Sequence, residues 1–200
     1  TAEDGVTTVT ARNILFGELY AASGQSNMGV NVRYCSNADE ILDNADNPYI
    51  RVYLSPEIPS ASMMAYRPAA WWRPDGSPGG WWARGDRATT IEGASAVAYN
   101  FALDLFDRLN TGGAEVPVGF LNVSKGSTSI EAWIARDVID ARHGDEKYGV
   151  VYDYLSERGR LLSEEEFNTK GSQNFNQVSA MFNSKIAQVT NLYVKGILWY

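Results

Sequence analysis

The feature that most constrains this chain is a helix-length apolar stripe followed at once by a strand-length apolar run. Val97, Ala98, Phe101, Ala102, Leu105 and Leu109 recur at the spacing that gathers them on one face of a helix. Gly112-Gly113 stops that run, and the stretch from Pro117 to Val123 is apolar enough for a buried strand. The alternation recurs. The runs Val6 to Ala11 and Ile14 to Ala22 predict two strands, and Ile50 to Leu54 predicts another. Phe175, Val178, Met181, Phe182, Ile186 and Val189 form a second helical stripe, and Tyr193 to Tyr200 is again strand-like. Strands separated by helices need right-handed crossovers, so the predicted class is α/β, a parallel sheet covered on both faces. Sites in such sheets form at the carboxyl ends of strands. Ser26, in the turn-rich segment Ser23 to Asn27, lies at one such end, and the loop from Ser124 to Thr128 lies at another.

Composition narrows the partners. With 200 residues, 44% of them apolar, the chain can build one three-layer core. Its net charge of −7 repels a phosphate backbone and an anionic bilayer alike, so neither nucleic acid nor a membrane is an expected partner. No apolar run approaches the roughly twenty residues that span a bilayer. Cys35 is the single cysteine, so no disulfide or thiolate metal cluster closes within the chain, and its polar surroundings mark a bystander thiol.

Residues 56–87 are crowded with proline and glycine and carry the pairs Trp71-Trp72 and Trp81-Trp82, which predicts a long loop ordered by its aromatics. Those indoles suit either stacking on a sugar face or pinning the loop to the domain. Trp133 and Trp199 read as core. The charged stretch from Asp137 to Gly171, with Glu164-Glu165-Glu166, reads as a solvated helix pair. Thr128-Ser-Ile-Glu131 has the spacing of a capping box and predicts a helix start there. Asn122-Val-Ser124 is formally a glycosylation acceptor on a predicted buried strand.

A serine at a strand-to-helix turn presents its hydroxyl clear of the sheet, with helix N–H groups behind it to favour a developing oxyanion. The same position suits a plain helix cap. Ser124-Lys125-Gly126-Ser127-Thr128 is a small-residue loop whose backbone N–H groups can approach a ligand, or simply a tight connection. Lys125 lacks the spacing of a phosphate-binding Walker loop.

Taken together, four blocks resemble one family: Gly24-Gln25-Ser26-Asn27-Met28, Gly93-Ala-Ser-Ala-Val-Ala-Tyr-Asn-Phe-Ala102, Pro117-Val-Gly-Phe-Leu-Asn-Val-Ser-Lys-Gly-Ser-Thr-Ser-Ile-Glu-Ala-Trp-Ile134 and Val194-Lys-Gly-Ile-Leu-Trp-Tyr200. In order and spacing they are similar to the sialate O-acetylesterase and acetylxylan esterase branch of the SGNH hydrolases. The resemblance implies a flavodoxin-like α/β/α fold, hydrolysis of an acetyl ester on a carbohydrate, no metal or cofactor, and a secreted, periplasmic or lysosomal setting. Ser26 matches the family's nucleophile, and the N–H groups of Ser26 and Gly126 match two oxyanion donors. Gln25, Asn27, Trp71, Trp72, Trp81 and Trp82 become candidates for substrate binding.

The family's third donor, an asparagine in a Gly-Glu-Ser-Asn run, follows the position of Trp199-Tyr200, and its Asp-x-x-His comes later still. Asp140-Ala-Arg-His143 has that local spacing but the wrong place in the order, so a surface pair is expected. Lys125 stands where the family often has tryptophan. On this reading residues 14–200 are the N-terminal part of an esterase domain, preceded at 1–13 by a strand region leading from an accessory β domain. Aspartate and histidine from outside the chain, on a second associated chain or a removed segment, would complete the triad. The alternatives are a carbohydrate-binding or scaffold module without catalysis, and a self-sufficient esterase using His143.

Overall fold

The computed structural model describes residues 2–3, 8–9, 14–55, 58–63, 71–72, 78–79, 82–85, 91–171 and 174–200. Strands β1 (Ala2–Glu3) and β2 (Thr8–Val9) pair antiparallel. The main sheet is built from β3 (Glu18–Gly24), β4 (Asn47–Leu54), β7 (Trp82–Gly85), β8 (Val118–Ser124) and β9 (Gly196–Trp199), in the order β7-β4-β8-β3-β9. Strands β4, β8, β3 and β9 run parallel, and β7 adds an antiparallel edge to β4. Between β4 and β7, β5 (Trp71–Trp72) pairs antiparallel with β6 (Pro78–Gly79). The tryptophan-rich stretch is therefore not loop throughout, as its lack of periodicity suggests: strands this short leave no repeat to detect.

Helices and turns cover both faces. On one, Ala22, Ile50, Val52, Val118 and Phe120 pack with Ala98, Tyr99 and Ala102 of α2 (Ala96–Leu109) and with Leu42 of α1 (Ala38–Asp43). On the other, Tyr53, Leu121 and Val123 pack with Ile186 and Val189. Neighbouring residues such as Phe120 and Leu121 are sent to opposite faces by the period of two in a strand. Each Val, Leu, Ile or Phe side chain fully buried this way stabilises the fold by about 1.5–3 kcal/mol. The predicted three-layer α/β/α architecture is what forms.

Ser95 caps α2, its hydroxyl accepting the Ala98 N–H at 3.2 Å. At the far end Asn110 closes the helix and ties the turn to the next strand, accepting the Val116 N–H at 2.7 Å. From β3 the chain moves outward to β4, returns to β8 beside β3, and then crosses to β9 on the other side. The carboxyl ends of β3 and β8 therefore adjoin at a reversal of strand order, where α/β sheets form clefts.

Three further readings need correction. Thr128–Glu131 starts no regular α-helix; a 3-10 turn spans Ile130–Trp133, and its N-cap Ser129 makes no side-chain cap bond. The stripe from Phe175 to Val189 is helical only from Ala180 on, in one continuous run whose bonding is π-helical at Phe182–Ile186 and 3-10 at Ala187–Val189. Trp199 is 56% exposed, because β9 is an edge strand whose alternation turns Leu198 toward the α2 core and Trp199 away from it. The charged region forms α3 (Arg136–Asp140), α4 (Gly149–Glu157) and α5 (Glu164–Glu166). It is less solvated than its composition suggests, since Ile139 and Leu155 bury against Val178.

Candidate active site

Ser26 owes its position to the end of β3. Gly24 sits at φ +128°, and a Cβ there would come within 2.2 Å of the Tyr200 carbonyl oxygen, so only glycine fits. Tyr200 donates its N–H to the Ser23 carbonyl at 3.2 Å, and its own carbonyl accepts the Gln25 N–H at 3.1 Å. Beyond that lock the chain makes a single helical turn, with Gly29 N–H on the Gln25 carbonyl at 2.8 Å. Gln25, Ser26 and Asn27 are exposed on the turn. Met28 is its anchor, 1% exposed in the core, with its Sδ accepting the Ser95 hydroxyl at 3.3 Å. The next residues zip onto the start of α2 through Ala96 N–H to Val30 O at 2.8 Å and Val32 N–H to Ala94 O at 3.0 Å.

Strand pairing brings Gly126 to the serine. β3 and β8 align residue for residue as far as Gly24 and Ser124, and Lys125 donates its N–H to the Gly24 carbonyl at 3.0 Å. Gly126 then lies over the turn, where an added Cβ would stand 3.5 Å from Ser26 Cα, 3.7 Å from its Cβ and 3.9 Å from its N. Among the described residues neither the Ser26 N–H nor the Gly126 N–H has an acceptor. Backbone N–H groups left open beside a serine hydroxyl are the ingredients of an oxyanion hole.

A polar network that the sequence did not reveal backs this loop. Ser127 holds φ +61°, an uncommon conformation for a residue with a Cβ. Asn176 brackets the bend, donating to the Ser127 carbonyl at 2.9 Å and accepting the Ser129 N–H at 2.6 Å. Arg160 donates to the Asn176 carbonyl at 3.1 Å, to the Ser129 hydroxyl at 2.6 Å and to the Glu131 carboxylate at 3.3 Å. Burial pushes the Glu131 carboxyl up, but its own backbone N–H, Ser129 and Arg160 outweigh that and hold it below the usual range. Thr128 donates to the Lys125 carbonyl at 2.7 Å and accepts the Trp133 indole N–H at 3.0 Å. Glu131 had one readable signal, its capping spacing, and that signal pointed to a different role.

The other candidates are placed as follows. Lys125 Nζ lies 4.4 Å from the centre of the Phe175 ring. Trp71 and Trp72 lie in β5 and Trp82 opposite Tyr53 in β7, while Trp81 falls outside the described residues. The Asp140 carboxylate takes the Arg136 Nε–H at 2.8 Å, and the exposed His143 packs its ring 4.6 Å from that of Tyr152. Among the described residues no group of His, Cys, Asp and Glu converges as a metal ion needs.

No protein-family model matches the chain. It is 28% identical over 207 residues to the sialate O-acetylesterase of Mus musculus, covering 96% of this chain and 36% of that protein. To the Homo sapiens sialate O-acetylesterase it is 26% identical over 197 residues, covering 96% of this chain and 32% of the relative. The crystal structure of a carbohydrate acetylesterase from Xanthomonas citri superposes with a TM-score of 0.61 at 25% identity, over 92% of this chain and 32% of the other. The chain thus spans about a third of the length of the proteins it matches. Sequence and fold point the same way: the chain is similar to sialate O-acetylesterases and to a carbohydrate acetylesterase structure, in agreement with the resemblance carried by the motifs around Ser26 and Gly126.

Proposed function

We propose that the protein carrying this chain is a carbohydrate O-acetylesterase with Ser26 as its nucleophile. The observation that carries the reading is an exposed serine on a tight turn with the open N–H groups of Ser26 and Gly126 beside it. Ser26 Oγ gives its proton to the base, which later passes it to the departing sugar oxygen, and bonds to the acetyl carbon; the carbonyl electrons move to oxygen, and the two N–H groups hold that oxyanion. Collapse expels the sugar alcohol, and water then releases acetate from the acyl-enzyme.

The base is assigned to a histidine outside residues 1–200. His143 is the chain's one histidine, and its neighbour Asp140 is engaged by Arg136. Because the backbone of Tyr200 pairs with Ser23 and Gln25, a residue following it in a longer chain emerges beside Ser26. Gln25 and Asn27, exposed on either side of the serine, are proposed to contact the sugar. The tryptophan-rich stretch from Trp71 to Trp82 is proposed as its stacking surface.

The test is turnover of p-nitrophenyl acetate by the full-length protein. Ser26→Ala should lower kcat by a factor on the order of 10⁴ or more and abolish labelling by a fluorophosphonate. Undiminished turnover or labelling elsewhere would sink the assignment. Sugar binding that survives the substitution in a protein without turnover favours the non-catalytic module. Acetate release from O-acetylated sialic acid against acetylated xylan separates the two sugar classes.

A further inference from the structure

Gly126 is a weak place to build a catalytic donor. It lies in no helix or strand, and glycine brings little conformational restraint of its own. On its amino side the β3–β8 pairing fixes it through the Lys125 N–H on Gly24. On its other side Ser127 holds a positive φ that its own side chain disfavours, so that conformation must be imposed from outside.

Two residues from distant parts of the chain impose it. Gly159, at φ +62°, ends α4 and lets the Arg160 N–H reach back to the Leu155 carbonyl at 2.9 Å, with Leu155 fully buried. This roots Arg160 in the fold and leaves its guanidinium to bind the Asn176 carbonyl, Ser129 and Glu131. Asn176 in turn grips the loop on both sides of Thr128. Its segment is stitched down by Ser179 N–H to the Glu131 carbonyl at 3.0 Å and by Val178 N–H to the Arg160 carbonyl at 3.4 Å. Planar donors in a fixed fork are suited to holding several acceptors in one geometry.

We propose that Arg160 and Asn176 are positioning residues that set the Gly126 N–H against the oxyanion formed on the ester carbonyl oxygen when Ser26 attacks; this rests on the esterase reading. Neither touches the reacting atoms. Their effect is to remove the freedom of the Gly126–Ser129 bend, so that the donor is in place before charge develops.

Asn176→Asp in the full-length protein is the discriminating variant, because it keeps the acceptor for Ser129 N–H and replaces the donor to the Ser127 carbonyl with an oxygen. Turnover of p-nitrophenyl acetate should fall on the order of 100-fold in kcat with KM nearly unchanged, the signature of a contact that matters only in the transition state. Arg160→Lys, which keeps the charge and loses the fork, should act in the same direction. Amide hydrogen exchange gives a readout independent of activity: residues 125–131 should exchange at least about tenfold faster in Asn176→Asp, while 25–30 stay as in the wild type. Unchanged exchange across 125–131 overturns the clamp whether or not esters are hydrolysed. Faster exchange with undiminished kcat, or a loss confined to KM, overturns its positioning role. A wild-type protein without acetate turnover overturns the esterase reading instead, with the exchange result still deciding whether the clamp holds the loop.

Discussion

Thr128-Ser-Ile-Glu131 and Ser163-Glu-Glu-Glu166 carry the same capping spacing and meet opposite fates. At 163–166 the box closes, with Ser163 Oγ accepting the Glu166 N–H at 3.2 Å and the Glu166 carboxylate accepting the Ser163 N–H at 3.0 Å. At 128–131 Thr128 turns to Lys125 and Trp133, and Glu131 pairs with Arg160. The difference is environment. Ser163 and Glu166 are exposed and meet only near neighbours in sequence among the described residues, Phe167, Thr169 and Lys170, whereas Thr128 and Glu131 sit at a strand-end loop to which Arg160 is brought from elsewhere in the chain. A local motif acts locally only where tertiary contacts offer nothing stronger.

The comparison breaks most readily at Glu131. Glu131→Ala leaves the Arg160 guanidinium without its carboxylate and should cost about 2 kcal/mol, read as a lower Tm, with slower ester turnover as the Gly126 loop loosens. Equal stability would mean that the pair does not support the loop. Thr128→Val comes next. It strands the Trp133 indole N–H and frees the Lys125 carbonyl, and a loss of about 1 kcal/mol with an altered Trp133 environment in fluorescence is expected. Loss of helical circular dichroism instead would show that Thr128 caps a helix after all. Ser163→Ala should cost about 1 kcal/mol or less and leave turnover untouched, since it weakens an exposed cap.

Acid sharpens the contrast further. Glu166 is held below its ordinary range by the Ser163 N–H, then by the Ser163 hydroxyl and Lys170, as Glu131 is by its own contacts. Both folded-state pKa values lie under the ordinary 4.5, so each contribution is fully present above that pH and is lost as pH falls through the depressed value. Urea titrations against pH should show Glu131→Gln flattening the acid loss of stability more than Glu166→Gln. The reverse order would place the working carboxylate at the surface box.

Much of the architecture was legible before any coordinate. The stripe from Val97 to Leu109 became α2, and the run Ile14 to Ala22 became, from Glu18 on, the interior strand β3 with Ser26 just past its end. Shorter elements were less legible. The stripe from Phe175 to Val189 is helical only from Ala180 on; its first residues lie in turns, where Asn176 is spent on the 127–129 bend. Trp199 looked like core, but burial of an edge-strand residue depends on what covers the edge, which periodicity does not report.

The sequence by itself determined the alternation of strand and helix and the serine-bearing turn, because each follows from one-dimensional apolar spacing and turn-forming residues. Tertiary structure alone decided that Gly126 lies against Ser26, that Asn176 and Arg160 hold the loop, and that Asp140 pairs with Arg136 while His143 packs on Tyr152. Those outcomes depend on which strands lie side by side and which side chains then come within hydrogen-bond reach. Strand order is set by the packing of the whole sheet, and no local pattern encodes it.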